Sequence, residues 1–146
     1  MLPKAISDSP FQLGPYSFTS CLIAGFGRQQ TGEEMAECRW LSAAECITVA
    51  VRRERLYDSK GHNILDFIDL DRYCLLPNTA GCYTVEDAVR TARLGREDPQ
   101  LEQSWCNLLK LEPGDGKTLL PNPMATIEAT EQLVQEGFFR PVLYHG

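Results

Sequence analysis

Short apolar segments alternate with helical segments about four times along this chain, and this alternation limits its fold more than any other feature. Strand-like segments lie at residues 20–25, 47–51, 73–76 and 106–112, with a further one at 139–144. Helical patterns occupy about 32–44, 64–68, 85–97 and 123–136. Because strands that alternate with helical crossovers run parallel, the sequence predicts an α/β fold.

The chain is long enough for one domain, and it contains no low-complexity tract or obvious linker. Gly14-Pro15 predicts a turn between two short strands over residues 11–18. We therefore expect a single domain over residues 1–146. Residues 1–18 form an N-terminal extension or hairpin in this prediction, and residues 20–146 form the βα repeats.

Residues at the ends of the segments set their predicted boundaries. Thr84 and Asn122 are typical N-caps, and Gly137 is typical of a helix C-terminus. Pro77-Asn78 is predicted to stop the third strand. Helical spacing predicts a set of inward-facing residues, namely Met35, Cys38, Leu41, Ala88, Ala92, Leu94, Ile127, Leu133 and Val134.

The net charge of −6 offers no basic surface for nucleic acid or for an anionic membrane. No apolar run approaches the roughly 20 residues that a membrane helix needs. The first residues lack the apolar stretch of a signal peptide. These features predict a soluble, intracellular protein of the cytoplasm.

The six cysteines form no C-x-x-C pair, and the two histidines, His62 and His145, lie far apart in sequence. This spacing argues against a zinc site, and no metal is predicted. Cys21, Cys46, Cys74 and Cys106 lie in apolar, strand-like stretches. We expect them to be buried, reduced thiols.

A lysine stands in the middle of the apolar strand at 106–112. Alternation places Leu108, Lys110 and Glu112 on one face, and Leu109 and Leu111 on the other. A lysine with apolar neighbours loses hydration, and its ammonium becomes easier to deprotonate. A neutral amine can form a Schiff base with a ketone or aldehyde. The alternative is a lysine near a strand end that reaches water.

Three further motifs follow predicted strands. Gly25-x-Gly27 could cradle a phosphate or be a tight turn, and Arg52-Arg53 could bind an anion or pair with surface acids. Asn78-Thr79 begins a compact polar loop, which could be catalytic or a simple turn. In parallel α/β folds ligands bind at the C-terminal ends of strands, so these motifs are predicted to converge with the lysine strand.

These same stretches resemble the amino-terminal half of thiazole synthase, the thiamin-pathway enzyme that builds the thiazole phosphate ring. The Leu-Leu-Pro-Asn-Thr-Ala-Gly run at 75–81 and the Lys-Leu-Glu triplet at 110–112 are the most specific motifs. The other matching segments are 25–27, 47–53, 86–94 and 119–123, and the similarity covers about residues 20–138.

The resemblance implies a (β/α)8 TIM barrel, of which this chain would form about the first four βα units plus the hairpin. It implies an imine between Lys110 and 1-deoxyxylulose 5-phosphate, with Glu112 as an acid that moves protons. Gly25, Gly27, Arg52, Asn78 and Thr79 are the predicted substrate-binding residues. The family's other inputs are a two-carbon imine from glycine or tyrosine and sulfur from a small carrier protein with a terminal thiocarboxylate. No cofactor is implied, and a homo-oligomer is expected.

The sequence departs from the family at Phe26, Arg28, Asn122 and Ala125, and the match fades after Phe138. The family's second half, with its glycine-rich phosphate cradle and a further acid, has no counterpart in these residues. A half barrel would leave a strand edge unpaired and an apolar face exposed to water. The exposed apolar surface would forgo roughly 10 kcal/mol of stabilisation. We therefore expect a truncated, impaired enzyme, and three origins stay open: a chain that self-associates, a chain that complements another polypeptide, and the product of a broken or frameshifted gene.

Two alternatives remain open at this point. The first is a non-catalytic half barrel that binds the sulfur carrier or a full-length subunit. The second is another Schiff-base barrel enzyme, such as an aldolase that acts on a different phosphorylated sugar.

Overall fold

The computed structural model describes residues 10–25, 32–51, 67–97, 108–138 and 142–143. Its strands are β1 (Phe11–Leu13), β2 (Tyr16–Phe18), β3 (Ile23–Gly25), β4 (Cys46–Ala50), β5 (Cys74–Asn78), β6 (Lys110–Leu111) and β7 (Val142–Leu143). Its helices are α1 (Gly32–Ser42), α2 (Val85–Glu97) and, numbered in order within the described residues, α3 (Pro123–Gln135).

The five strands β3 to β7 form one parallel sheet in which neighbours in space are also neighbours in sequence. This order fits the predicted partial TIM barrel. The predicted hairpin is also confirmed, since β1 and β2 pair antiparallel around Gly14, which has a φ of +61°. The predicted number of βα units stays a prediction, because the link between β4 and β5 lies largely outside the described residues.

The two faces of the sheet bury different sets of side chains. On the outer face, Leu109 and Leu111 pack with residues of α2 and α3. On the inner face, Leu76 and Leu108 pack with Cys46 and with Phe18 of the hairpin. The predicted alternation along residues 108–112 is therefore confirmed, and the inner face carries Lys110 and Glu112 toward the C-terminal end of the sheet.

The prediction that Pro77-Asn78 stops the third strand is wrong, because β5 runs through both residues. Backbone alternation explains how a proline is accommodated there. The Thr79 N–H points to β6, so the ring nitrogen of Pro77 lies on the same side. The ladder between β5 and β6 begins only at Asn78↔Lys110. Pro77 thus removes no donor that this ladder uses.

Helix boundaries follow the predicted caps closely. The Thr84 hydroxyl accepts the Asp87 N–H at 3.1 Å before α2, and the Asn122 side chain accepts the Ala125 N–H at 3.1 Å before α3. Gly137 has a φ of +86° just after α3, where a residue with Cβ would be strained. These local signals were readable from sequence alone.

Several predicted inward-facing residues are in fact exposed, namely Cys38, Leu41, Leu94, Ile127 and Val134. The buried stripe of α3 is Ala125, Ala129 and Leu133, at a spacing of four residues. Ile127 lies two residues from both alanines, which is about 200° around the helix. The small alanine side chains let α3 lie close to its neighbours. The buried face of the helix is therefore not the face with the largest apolar side chains.

The cysteine prediction holds only in part. Cys46 is buried and Cys74 is partly buried, but Cys21 is exposed, so its prediction is wrong. Cys82, which was not predicted to be buried, is fully enclosed. Cys106 lies outside the described residues.

Replacing Leu133 by alanine is expected to lower the free energy of unfolding by about 2–5 kcal/mol, because the side chain is fully buried between α3 and the sheet. The matched control is Ile127→Ala on the same helix, whose side chain is 59% exposed and whose removal should change the free energy by less than about 0.5 kcal/mol. Urea unfolding followed by circular dichroism compares them. Equal losses would contradict this assignment of faces.

Ion pairing between α2 and α3 makes the fold sensitive to acid. Arg93 donates two hydrogen bonds to the Glu136 carboxylate, at 2.9 and 2.6 Å, and this contact lowers the pKa of Glu136 below its ordinary value of 4.5. Hydrogen bonds from Thr118 and Lys117 likewise lower the pKa of Asp115. Each carboxylate stabilises the fold fully at pH values above its ordinary pKa. This stabilisation is lost as the pH falls through the lowered pKa of the folded state.

We therefore expect the urea midpoint to fall as the pH is lowered below about 4.5. The variant Glu136→Gln should show a shallower decline, since it cannot take up the extra proton on unfolding. A midpoint that rises between pH 5 and pH 3 would contradict the sign of this effect.

Candidate active site

Lys110 and Glu112 form an ion pair on the inner face of the sheet. The Lys110 Nζ lies 2.5 Å from the Glu112 Oε1, and the two side chains are only 15% and 20% exposed. Alternation along the extended backbone brings them together, although the observed strand β6 is shorter than predicted and Glu112 lies just past its end. The alternative of a lysine that reaches into water does not describe this arrangement.

Thr79 holds the backbone between the two residues, on both sides of Leu111. Its N–H donates to the Lys110 carbonyl at 3.1 Å, and its hydroxyl accepts the Glu112 N–H at 2.9 Å. The Thr79 side chain is completely buried. The predicted substrate-binding role of Thr79 stays a prediction, and its hydroxyl already accepts one hydrogen bond from the Glu112 backbone.

Asn78 lies beside Lys110 in the ladder, so the two side chains project from the same face. The Asn78 Nδ2 donates to the Thr48 hydroxyl at 2.9 Å, and its Oδ1 accepts the Ala80 N–H at 3.1 Å. The amide is therefore fixed in orientation. Its predicted contact with substrate is untested.

Thr48 is a site residue that the sequence reasoning missed. It pairs in register with Gly25, and a Cβ added to Gly25 would lie 3.5 Å from the Thr48 methyl group. Little in the sequence singles out Thr48, because threonine is common in strands that are rich in β-branched residues. Thr48 connects Gly25 to Asn78, so the inner face carries a continuous row of polar or small residues across four strands.

The structure brings three of the predicted positions next to the Lys110 segment, namely Asn78, Thr79 and Glu112, whereas Gly25 lies three strands away beside Thr48. The other two, Gly27 and Arg52, lie outside the described residues. The strands that carry the described residues are neighbours in one parallel sheet, and the convergence of all four motifs on one ligand site stays a prediction.

A compact loop between β6 and α3 borders the site. Gly114 bridges to Pro121, and the Asp115 carboxylate accepts the N–H groups of Lys117 and Thr118 at 2.9 and 2.8 Å. The Tyr83 ring lies close to Gly114, where a Cβ would approach it to 3.7 Å. The loop presents Leu119 and Leu120 outward, at 73% and 64% exposure.

A primary amine paired with a carboxylate in a partly dry position is equipped for carbonyl chemistry, since the carboxylate can take and return the amine's proton. Among the described residues, no three His, Cys, Asp or Glu side chains form a group that could hold a metal ion. Within the same residues, no helix is both long and apolar enough to cross a membrane.

The chain matches the family model of thiazole biosynthesis protein ThiG over residues 12–145. It is 56% identical over 140 residues to thiazole synthase from Rhodopirellula baltica, covering 94% of this chain and 49% of that protein. It is 44% identical over 139 residues to thiazole synthase from Stutzerimonas stutzeri, covering 94% of this chain and 51% of that protein. The chain spans about half the length of the curated relatives it matches.

Among solved structures, the fold resembles a chain in the complex of BexX with CysO from Amycolatopsis orientalis, with a TM-score of 0.73. The match covers 93% of this chain and 54% of that chain. At 21% sequence identity, this likeness supports the fold alone.

Proposed function

The chain belongs to the ThiG family of thiazole biosynthesis proteins, and we propose that its Lys110 forms a Schiff base with 1-deoxyxylulose 5-phosphate during assembly of the thiamin thiazole. The observation that carries this proposal is the Lys110–Glu112 pair on the inner face of the sheet. A lysine that is only 15% exposed, with a carboxylate 2.5 Å away and buried leucines beside it in sequence, is placed for chemistry with a bound carbonyl.

Proton transfer within the pair starts the proposed reaction. Glu112 is in direct contact with the Lys110 ammonium and takes a proton from it, which leaves a neutral amine that can attack. The amine nitrogen then bonds to the ketone carbon of the sugar phosphate as the carbonyl π bond opens, and an amine proton moves to the oxygen to give a hydroxyl. Glu112 returns the proton to the leaving hydroxyl, water departs and the imine remains.

The remaining inputs follow from membership of the family. We propose that sulfur arrives on a small carrier protein with a terminal thiocarboxylate, and that a two-carbon imine completes the ring. A fold relative that binds a second protein in its crystal structure supports the idea that this architecture can receive a protein partner. Asn78 and Gly25, on the same face as Lys110, are the described candidates for contact with the sugar phosphate.

Borohydride reduction tests the proposed imine directly. The chain is incubated with 1-deoxyxylulose 5-phosphate and sodium borohydride, and the intact mass is measured. Hydride addition to the imine carbon should leave a stable secondary amine, with a mass gain equal to the sugar phosphate plus two hydrogens minus water. The control is the corresponding sugar alcohol phosphate, which has no carbonyl and should give no gain.

A panel of other ketose and aldose phosphates separates this reaction from that of an aldolase-type enzyme. Faster trapping of a different sugar phosphate would reassign the substrate. No adduct with any of them would refute the proposed chemistry.

The exposed leucines next to the site favour a second candidate function, protein binding without turnover. Leu119, Leu120 and the neighbouring Met124 present apolar surface beside the C-terminal strand ends. Size-exclusion chromatography with a thiocarboxylated carrier, or with a full-length family subunit, tests this candidate. A lasting complex from a chain that forms no imine would favour it over the enzyme.

A further inference from the structure

We propose that Thr79 is a positioning residue that sets the Lys110–Glu112 pair by holding the backbone on both sides of Leu111. This inference rests on the proposed function, because it assigns Thr79 a part in the same imine chemistry. It also departs from the predicted role of Thr79 in contacting substrate, since its side chain is fully enclosed.

The need for such a residue follows from how short β6 is. This strand contains only Lys110 and Leu111, and its ladder with β5 consists of the single pair Asn78↔Lys110. Glu112 lies beyond the end of the strand. The regular ladder therefore fixes the lysine's backbone but not that of the carboxylate partner.

The Thr79 hydroxyl supplies the missing bond. Its oxygen accepts the Glu112 N–H at 2.9 Å, where a continued strand would have offered a carbonyl. The Thr79 N–H holds the Lys110 carbonyl at 3.1 Å. One residue thus spans the whole Lys-Leu-Glu segment, and the direction of the Glu112 side chain follows from its fixed backbone.

A threonine suits this position better than other small residues. Its branched Cβ restricts χ1, so the hydroxyl stays aimed once the methyl group is packed. The site is closed to solvent, so no water replaces the acceptor if the hydroxyl is removed. Valine keeps the shape but leaves the Glu112 N–H without this partner, whereas serine keeps the oxygen.

The test measures the rate of borohydride-trapped imine formation against the concentration of 1-deoxyxylulose 5-phosphate and against pH. Thr79→Val should lower the maximal rate at least about tenfold, with little change in the half-saturating concentration. Thr79→Ser should stay within about threefold of the parent chain. The pH at which the rate is half-maximal should move in Thr79→Val and not in Thr79→Ser, because proton transfer then occurs in a distorted pair.

The matched control is Thr91→Val. Thr91 is also a buried threonine, but its hydroxyl contacts the Cys82 thiol at 3.3 Å from α2, away from the inner face. The Thr91→Val variant should leave the rate of imine formation and its pH profile unchanged. Equal rates for Thr79→Val and Thr91→Val would overturn the proposal. So would a change in half-saturating concentration alone, which would indicate substrate contact.

Amide hydrogen exchange of the parent chain tests the same contact without any substitution. The Glu112 N–H should exchange as slowly as is expected of the neighbouring ladder amides. Rapid exchange of this amide would overturn the proposal even if Thr79→Val fails to fold. If the parent chain forms no adduct, the proposed function fails, while slow or rapid exchange still decides whether Thr79 holds Glu112.

Discussion

Replacing Lys110 by alanine is expected to abolish the borohydride-reducible adduct with 1-deoxyxylulose 5-phosphate. An imine needs a primary amine, and Lys110 supplies one on the inner face of the sheet beside a carboxylate. The chain has three other lysines, Lys4, Lys60 and Lys117, and the described one among them, Lys117, lies exposed in the loop before α3. Intact mass spectrometry after reduction measures the loss.

Two controls make this result specific. Lys117→Ala removes an exposed amine and should leave the adduct intact. Lys110→Arg keeps a cation beside Glu112 but offers no amine that can form an imine, so it should lose the adduct while unfolding at a urea midpoint near that of the parent chain. Retention of the adduct in Lys110→Ala would mean that another amine reacts.

Replacing Glu112 by glutamine is expected to slow imine formation by about 10²- to 10⁴-fold, the usual contribution of a positioned acid or base. Glutamine has nearly the same shape but cannot take the proton of Lys110 or return it to the leaving hydroxyl. The adduct should still form at Lys110 after long incubation, because the nucleophile remains. Quenching with borohydride at successive times gives the rate.

The matched control is Glu136→Gln, which removes a carboxylate from the ion pair with Arg93 between α2 and α3. It should affect acid stability and not the trapping rate at neutral pH. A Glu112→Gln chain that forms the adduct as quickly as the parent would show that Glu112 does not move protons in this step.

Local geometry explains why the central part of the site could be predicted from sequence. The alternation of side chains along a strand is fixed by the backbone, so Lys110 and Glu112 had to share a face wherever the strand lies. Helix caps are similarly local, and Thr84 and Asn122 act as predicted. The alternation of strands and helices was enough to predict a parallel sheet.

Features that depend on register or packing could not be predicted in this way. The contact between Asn78 and Thr48 joins residues 30 positions apart, and only the ladder between β4 and β5 brings them together. The strand through Pro77 is possible because its neighbour β6 begins late. Likewise, Ile127 is exposed because α3 packs through its alanines. Which face of the helix is buried depends on the elements that it packs against.

The proposed sugar phosphate and sulfur donor come from the resemblance to a known family and not from the geometry. Family membership now rests on a match over residues 12–145 and on relatives at up to 56% identity among those compared. The chain covers about half of each such relative, so the complete reaction is assigned to this chain as a proposal. Lys110 of β6 and the adjoining Glu112 are the residues proposed to initiate it.

Peptide mapping of the reduced adduct tests the central claim most directly. The chain is reduced with borohydride in the presence of 1-deoxyxylulose 5-phosphate, digested, and sequenced by tandem mass spectrometry. The account predicts that the sugar phosphate is attached to the ε-nitrogen of Lys110. Attachment only at Lys117 or at the N-terminal amine, with Lys110 unmodified, would contradict it.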